Sequence, residues 1–379
     1  MGMRQYNSMA RFDLVVAGAG IVGLAHALAA VRRGLRVAVL ERDARAHSAS
    51  TRNFGFVTIT GQEDGATRRR ALRSRETWLE VARDAGIAVH QRGALVAARR
   101  PEAMRVLEQF AAGPMGEGCE LLDGKQARTR LPALNSGVPG ALWSPHEVRV
   151  EAREALPAIA RWLEERHGVV FAWETAALGI DDGNVRHSAG TIAADAMVIA
   201  PGANVAAFAP DLARRAAVRT CRLQMMRLAD PGFALPGVVM TDLSLARYGG
   251  FAAQPAAAAL RERLARECAA ELGHGVHLIV AQGSDRSLVV GDSHHYDDHA
   301  SPFASDAVDG LILGELRALL DLPRVGVLER WNGYYPVADV APLIREPLGP
   351  RARLVTVTSG TGMSTAFAIG EETIEELFG

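Results

Sequence analysis

The chain is expected to fold as an α/β protein, α+β overall, in which a parallel-sheet domain is interrupted by a second domain of mostly antiparallel β-sheet. Three observations predict this. The apolar run Leu14–Ala17 leads at once into Gly18-x-Gly20-x-x-Gly23, an alanine-rich helical stretch, the helix stop Gly34 and a second strand, Arg36–Leu40, closed by Glu41. Two further apolar runs lie far downstream, at Ala196–Ala200 and Leu354–Val357, and each ends in a glycine turn, at Gly202 and at Gly360-Thr361-Gly362. Between them runs a long series of short β-rich stretches with two helical interruptions.

In the first unit each residue type has a mechanical reason. Gly18 allows the tight turn, Gly20 lets the backbone approach a pyrophosphate, and Gly23 with Ala27 lets helix and sheet pack closely. The first turn, at Ile21 and Val22, offers unpaired N–H groups and a positive dipole end, which suit a diphosphate. Glu41 is placed to accept hydrogen bonds from adenosine ribose hydroxyls. Strand, helix, second strand and terminal acid in register make a Rossmann-type dinucleotide fingerprint; a lone glycine triplet would not.

A polar loop, Ser48–Gly55, comes next, then a helix over Thr67–Ala85. From Gly86 to Trp143 the pattern shifts to short β runs such as Gly93–Ala98, with a helix near Pro101–Ala111. Val148–His167 has amphipathic helical spacing, and Val169–Ile180 with Asn184–His187 reads as a small sheet. The β-rich stretch comprises Arg219–Leu228, Val238–Met240, His277–Ala281, Ser287–Gly291 and Val325–Tyr335, with helices at Pro255–Leu272 and Ser305–Leu320. A closing helix follows the glycine turn at Gly360. Residues 1–85, 145–215 and 343–379 are therefore assigned to the first domain, and 86–144 and 216–342 to the second.

Composition narrows the class. With 379 residues, 49% of them hydrophobic, the chain can bury two cores. A net charge of −1 gives no electrostatic case for nucleic acid or a membrane surface, and Arg68-Arg69-Arg70 reads as a solvated helix face. Three dispersed cysteines, Cys119, Cys221 and Cys268, fit a reducing cytoplasm better than a disulfide framework or zinc ribbon. Phe12–Val31 is long enough to pass for a membrane span, but its glycines, Asp13 and His26 argue for a soluble protein with no span.

Taken together, these blocks resemble the D-amino acid oxidase/glycine oxidase/sarcosine oxidase superfamily of FAD enzymes. The resemblance covers nearly the whole chain. It rests on the Gly18–Glu41 fingerprint, Val198-Ile-Ala-Pro-Gly202-Ala203, Leu288-Val-Val-Gly291-Asp292-Ser293, Arg330-Trp331-x-Gly333-x-x-Pro336-x-x-Asp339-x-x-Pro342 and Gly360-Thr-Gly362-Met363, in that order. Within the superfamily, Ser50-x-Arg52-Asn53-Phe54-Gly55 is most similar to a subgroup proposed to act in bacterial phosphonate catabolism. The resemblance implies that the first domain binds FAD and the second binds substrate. It implies FAD contacts from Gly18, Gly20, Ile21, Val22, Gly23, Glu41, Arg42, Ser48, Ser50, Thr51, Arg52 and Asn53, and further along from Ala177, Ala200, Gly202, Gly360, Thr361, Gly362, Met363 and Ser364. The dipole of the helix after Gly360 would stabilise negative charge at the N1–C2=O end of the reduced flavin.

Departures from the family pattern shape the substrate expectation. Glycine oxidase-like members place an arginine just before the proline of the Trp-x-Gly block, where it clamps the substrate carboxylate; here that position is Tyr335, preceded by Tyr334. Arg52, Arg247 and Arg222 are the candidate replacements, with His294 and His295 behind them. Tyr335, Arg52 and His294 are the expected catalytic residues. Sarcosine oxidase-like members attach flavin to a cysteine in this region; none lies there, so FAD is expected to be non-covalent. His294, His295 and His299 cluster with Asp292, Asp297 and Asp298, but their spacing matches no zinc pattern and no metal is expected. Trp331 reads as packing, Tyr248 as a lid hinged at Gly249-Gly250 or an ordinary turn, and Gln224 as a pocket residue or a satisfied strand amide.

The expected activity is oxidation of the C–N bond of a small zwitterionic amine, with an aminophosphonate or its N-methyl derivative as the candidate, to an imine that water hydrolyses, with oxygen or another acceptor taking the electrons. No strong side-chain base is required if the amine binds neutral. A glycine- or sarcosine-type oxidase, a 2-hydroxy-acid dehydrogenase using a histidine base, and a flavoprotein without turnover are the alternatives.

Overall fold

In a computed structural model that describes residues 11–181, 184–298, 300–322 and 325–379, the first sheet is built around the strand Arg11–Ala17. Leu14, Val15 and Val16 are fully buried, so this strand is covered on both faces, as a central parallel strand must be. It pairs in parallel with Val37–Leu40 on one side and Gly190–Ile199 on the other. Val170–Ala172 and Ala352–Val357 extend the parallel run, and Leu343–Gly349 adds an antiparallel edge. Helices Ile21–Arg32, Ala66–Asp84, Ala152–His167 and Gly362–Phe378 bury their apolar stripes on one face. The first and last of these helices touch backbone to backbone: a Cβ on Gly370 would stand 2.7 Å from the Ala25 carbonyl oxygen.

The second sheet is antiparallel apart from Val238–Met240, which runs parallel to Val89–Ala98. Arg219–Leu228 pairs along one edge with Val327–Val337 and along the other with Leu288–Gly291 and His295–Asp297. The two sheets form one mixed α/β fold.

Several expectations are corrected. The segment read as a helix from Val148 opens as a strand: Gly140–Val150 pairs with Val89–Ala98, and the helix begins only at Ala152. Val148 and Val150, two apart, join one apolar cluster, and Arg149 between them is buried as well, donating to the Phe54 carbonyl. That strand lies wholly in the second sheet, so the chain crosses back near Glu151, beyond the boundary expected at 144/145. Val169–Ile180 divides between an edge of the parallel sheet, Val170–Ala172, and an outlying hairpin, Ala177–Asp181 with Asn184–His187. Pro255–Leu272 breaks at Cys268 into two helices. A helix over Gly124–Arg130 was not foreseen, although its capping box, Asp123 with Gln126, stands in the sequence. The arginine run does more than face water, since Arg70 grips Glu372 through two 2.8 Å hydrogen bonds and joins the second helix to the last. Phe12–Val31 divides into a strand and a helix, and no helix among the described residues is long and apolar enough to cross a membrane.

Candidate active site

Where the two sheets meet, a cavity of about 530 Å³ is lined by both. One end is made largely of backbone. Gly18 sits at φ 110°, and a Cβ there would stand 2.5 Å from the Ala200 carbonyl oxygen. A Cβ on Gly23 would stand 1.8 Å from the Gly18 carbonyl oxygen, so the first strand, the turn and the helix can close only on glycine. Ile21 N–H donates to Ser50 Oγ at 3.0 Å, bringing the polar loop over the helix end. Glu41 accepts from Ala19 N–H at 2.8 Å and Asp43 N–H at 3.2 Å, which pins the acid at the end of its strand.

The helix Gly362–Phe378 presents its own N-terminus to the same cavity through Gly360 (φ 73°), Thr361 and Gly362. In neither this helix nor Ile21–Arg32 does the N-cap residue's own side chain cap the first turn, neither first turn holds an acid, and of the free N–H groups at Ile21–Arg32 one is taken by Ser50 Oγ. Two uncapped positive helix ends therefore converge on one cavity with a glycine cradle beside them, a donor set that fits a flavin dinucleotide.

Among the expected cofactor residues, Gly20, Ile21, Val22, Gly23, Ser50, Arg52, Asn53, Ala200, Gly202, Gly360, Thr361, Gly362, Met363 and Ser364 line the cavity. Gly18 and Glu41 lie just behind the lining and shape it. Arg42 and Ser48 are exposed outside it, and Thr51 Oγ1 is turned to the Ser48 carbonyl. Ala177 does not reach the cavity: its strand belongs to the outlying hairpin and packs against a separate apolar cluster.

Side chains make the other end. Arg247 closes the short helix Asp242–Arg247, and its Nη2 donates to Tyr296 Oη at 2.7 Å. It is an exposed residue that also lines the cavity. Burial works against its charge, but Tyr335, Tyr296 and Asp292 hold its pKa above the ordinary arginine value. Asp292 and His294 follow the strand Leu288–Gly291, and His277 precedes Ile279–Gln282. His277 Nε2 lies 3.3 Å from Asp292 Oδ1 and His294 Nε2 lies 3.8 Å from Asp292 Oδ2. Burial pushes the Asp292 carboxyl up to about 7 against the downward pull of Arg247. Burial, joined by Arg247, holds both histidines well below their usual value. Tyr335 lies against the flavin-side turn, its ring carbon 3.1 Å from where a Gly360 Cβ would be, and burial raises its phenol well above 10.

Of the candidate cations, Arg52 and Arg247 reach the cavity and Arg222 does not: it is buried with Nη1 on the Phe303 carbonyl. His294 lines the cavity, whereas His295 turns the other way and meets His274 at 3.0 Å. Gln224 is a satisfied amide, bonded to Ser305 and Asp309, outside the cavity. Trp331 packs against the second core and under the guanidinium of Arg153. Tyr248 lines the cavity and caps a short helix, Gly249–Ala252. His299 lies outside the described residues. Sequence reasoning missed His277, Thr58 and Gln62, and named Asp292 only within a motif and within a cluster from which no metal was expected. No local signal marks His277; its backbone pairing with Asp292, beside the Ile279–Gly291 pair, brings it in. His277, Asp292 and His294 are donor types that suit a metal, but the positive charge of Arg247 acts on all three.

Residues 13–376 match the protein-family model described as FAD dependent oxidoreductase, DAO. No curated protein matches the chain. Among solved structures it is similar to glycine oxidase from Geobacillus kaustophilus, with 19% identity, a TM-score of 0.76 and coverage of 97% of this chain and 94% of that one. L-proline dehydrogenase from P. horikoshii gives 18% identity and a TM-score of 0.75, covering 97% and 93%. FAD-bound L-α-glycerophosphate oxidase from Mycoplasma pneumoniae gives 18% and 0.74, covering 97% and 95%. At these identities the likeness is one of fold.

Proposed function

This chain belongs to the DAO family of FAD-dependent oxidoreductases, and on that premise we propose that it oxidises the C–N bond of a small zwitterionic amine whose anionic end pairs with Arg247. The observation that carries this reading is a guanidinium held in the cavity by Tyr296, in the same space as the uncapped helix end at Gly360–Ser364. Arg247 thus takes over the anion-binding task that Tyr335 cannot perform, since a tyrosine donates one hydrogen bond but carries no charge. Bound FAD supplies the two-electron acceptor. The chain's own residues bind and orient: Arg247 fixes the anion, Tyr335 lends a hydroxyl, and the buried walls exclude water.

In this reading the first sheet and its helices bind FAD and the second sheet binds substrate. FAD is non-covalent, because Cys119, Cys221 and Cys268 stand outside the lining. Reduced thiols fit a cytoplasmic enzyme, with oxygen or another carrier reoxidising the flavin. A dianionic phosphonate calls for more than one cation, and Arg52 lines the same cavity as Arg247. That pair supports 2-aminoethylphosphonate or its N-methyl derivative as substrate. A second reading, oxidation of a 2-hydroxy acid, is favoured by one observation: His294 Nδ1 is engaged by the Gly275 carbonyl at 3.0 Å, which leaves Nε2 as a base in the cavity.

The test is anaerobic addition of 2-aminoethylphosphonate, its N-methyl derivative, glycine, sarcosine and lactate, each alone. Bleaching of the oxidised flavin band by an aminophosphonate is the expected result. Bleaching by glycine or sarcosine only would replace the phosphonate with a carboxylate, and bleaching by lactate only would replace the amine reading. A protein that takes up FAD but bleaches with none would be a flavoprotein without turnover toward these compounds.

A further inference from the structure

We propose that Asp292, flanked by His277 and His294, is the ammonium site of this pocket: it receives the substrate amine as a cation and then takes its proton. This rests on the amine reading above and adds to it the residue that meets the nitrogen.

The geometry is that of an acceptor cluster. Asp292 is 4% exposed and lines the cavity, and its Oδ1 has no hydrogen-bond partner among the described residues. Its backbone is fixed by reciprocal bonds with His277, at 3.1 and 3.2 Å. A carbonyl only accepts, so the contact of His294 Nδ1 with the Gly275 oxygen puts the ring proton on Nδ1 and an acceptor lone pair on Nε2, facing Asp292. The other titratable groups that Asp292 acts on are Arg247, Tyr248 and Cys221. His277 Nε2 stands 3.3 Å from Oδ1 but makes no hydrogen bond to it, so this buried carboxylate is short of donors, and a primary ammonium brings three.

Spacing separates an ammonium from a metal. The ligand atoms of His277, Asp292 and His294 lie within 4.8 Å of one another. One nitrogen can reach all three across that span at about 2.8 Å, an ordinary charge-assisted hydrogen bond. Two ligands of a single zinc ion at about 2.1 Å stand no more than about 4.2 Å apart. Arg247 then completes a pair of opposite charges in one cavity, complementary to a zwitterion.

The step balances simply. An N–H bond of the ammonium breaks and an O–H bond forms on Asp292 Oδ1; the amine keeps the lone pair and no electron is transferred. The two-electron oxidation of the C–N bond that follows uses the FAD of the family. The Asp292 carboxyl, raised by burial to about 7, is poised to hold a proton near neutrality.

The test compares ligand pairs with and without the amine, 2-aminoethylphosphonate against ethylphosphonate and glycine against acetate. Binding to the FAD-loaded protein is followed by flavin absorbance without oxygen. For the pair that binds, the wild-type protein should prefer the amine member, and Asp292→Asn should cut that preference at least about tenfold while the amine-free member binds as well or better. A preference that survives in D292N overturns the assignment and leaves the amine reading standing. If no amine binds, the amine reading fails and the assignment with it. Should D292N fail to load FAD, calorimetry on wild type decides. Near pH ~6, binding glycine should expel protons from Asp292 and binding acetate should not, read from the dependence on buffer ionisation heat. Equal proton exchange for both ligands overturns the assignment, as would one zinc ion per chain that survives dialysis.

Discussion

The two ends of the cavity are made of different material. At the flavin end the chain offers backbone: glycines at 18, 20, 23, 360 and 362, and two uncapped helix ends. At the substrate end it offers side chains, Arg247, His277, Asp292, His294 and Tyr335, delivered from separate stretches of the second sheet and a short helix. A backbone site tolerates almost no added atom but is indifferent to side-chain charge. A side-chain site is the reverse, and it can be retuned without disturbing the fold.

That contrast can be broken most forcefully at Gly23. Gly23→Val adds atoms where a Cβ already stands 1.8 Å from the Gly18 oxygen, and the expected outcome is a protein that retains no FAD, read as flavin absorbance per chain. Gly249→Ala at the substrate rim meets only the Glu63 side chain at 3.1 Å and should stay yellow. A yellow Gly23→Val would show that the flavin end is not a steric cradle.

The next largest effect separates the ends by pH. His26, in the first helix, is fully buried and lowered by burial to about 4. Because its folded pKa lies below the unfolded one, its contribution is complete above pH 6.5 and is lost as pH falls toward 4. The loss is roughly 2 kcal/mol by pH ~5 and about 3 kcal/mol by pH ~4. Urea unfolding of wild type and His26→Leu across this range should show a shallower acid slope in the variant. Parallel slopes would mean that His26 takes up its proton as readily in the folded chain as in the unfolded one.

Arg247→Met should raise KM about 10- to 100-fold, the ~1.5–3 kcal/mol of a hydrogen bond to a charged group, with FAD content unchanged. A loss of flavin would mean that the guanidinium serves the cofactor end instead. Smallest is Tyr335→Phe: loss of one neutral hydrogen bond, ~1 kcal/mol, should cost about fivefold in kcat/KM and shift the flavin spectrum slightly, because the ring lies against Gly360. A hundredfold loss would move Tyr335 from the wall of the site into its chemistry.

The same contrast explains what could be read from the residues alone. The flavin end was legible because a glycine turn is a local event: Gly18, Gly20 and Gly23 state their own geometry within six positions. The loop Ser50–Gly55 was legible for a similar reason. The substrate end depends on register between strands far apart in the chain. His294 and His295 are neighbours in sequence, yet the pleat sends one into the cavity and the other toward His274. Arg222, which looked as good a cation as Arg247, sits on a strand position that faces away and bonds to Phe303. Ala177 lies outside the cavity because the strands around it divide between one edge of the first sheet and a hairpin hung on Gly190–Ile199, a partition that hydrophobic pattern alone does not reveal. The strand Gly140–Val150 escaped notice because Pro145 and two charges interrupt its alternation.

The packing of the first helix against the last has a consequence for biosynthesis. The cradle joins Gly18–Gly23 to Gly360–Ser364, and Gly370 locks one helix on the other at Ala25. A growing chain on the ribosome therefore exposes one half of this cradle well before the other and cannot close it until Gly360–Ser364 have emerged. A cofactor held by that cradle would wait for segments on both sides of the second sheet, so its scarcity would leave more than one domain short of the stability that binding adds.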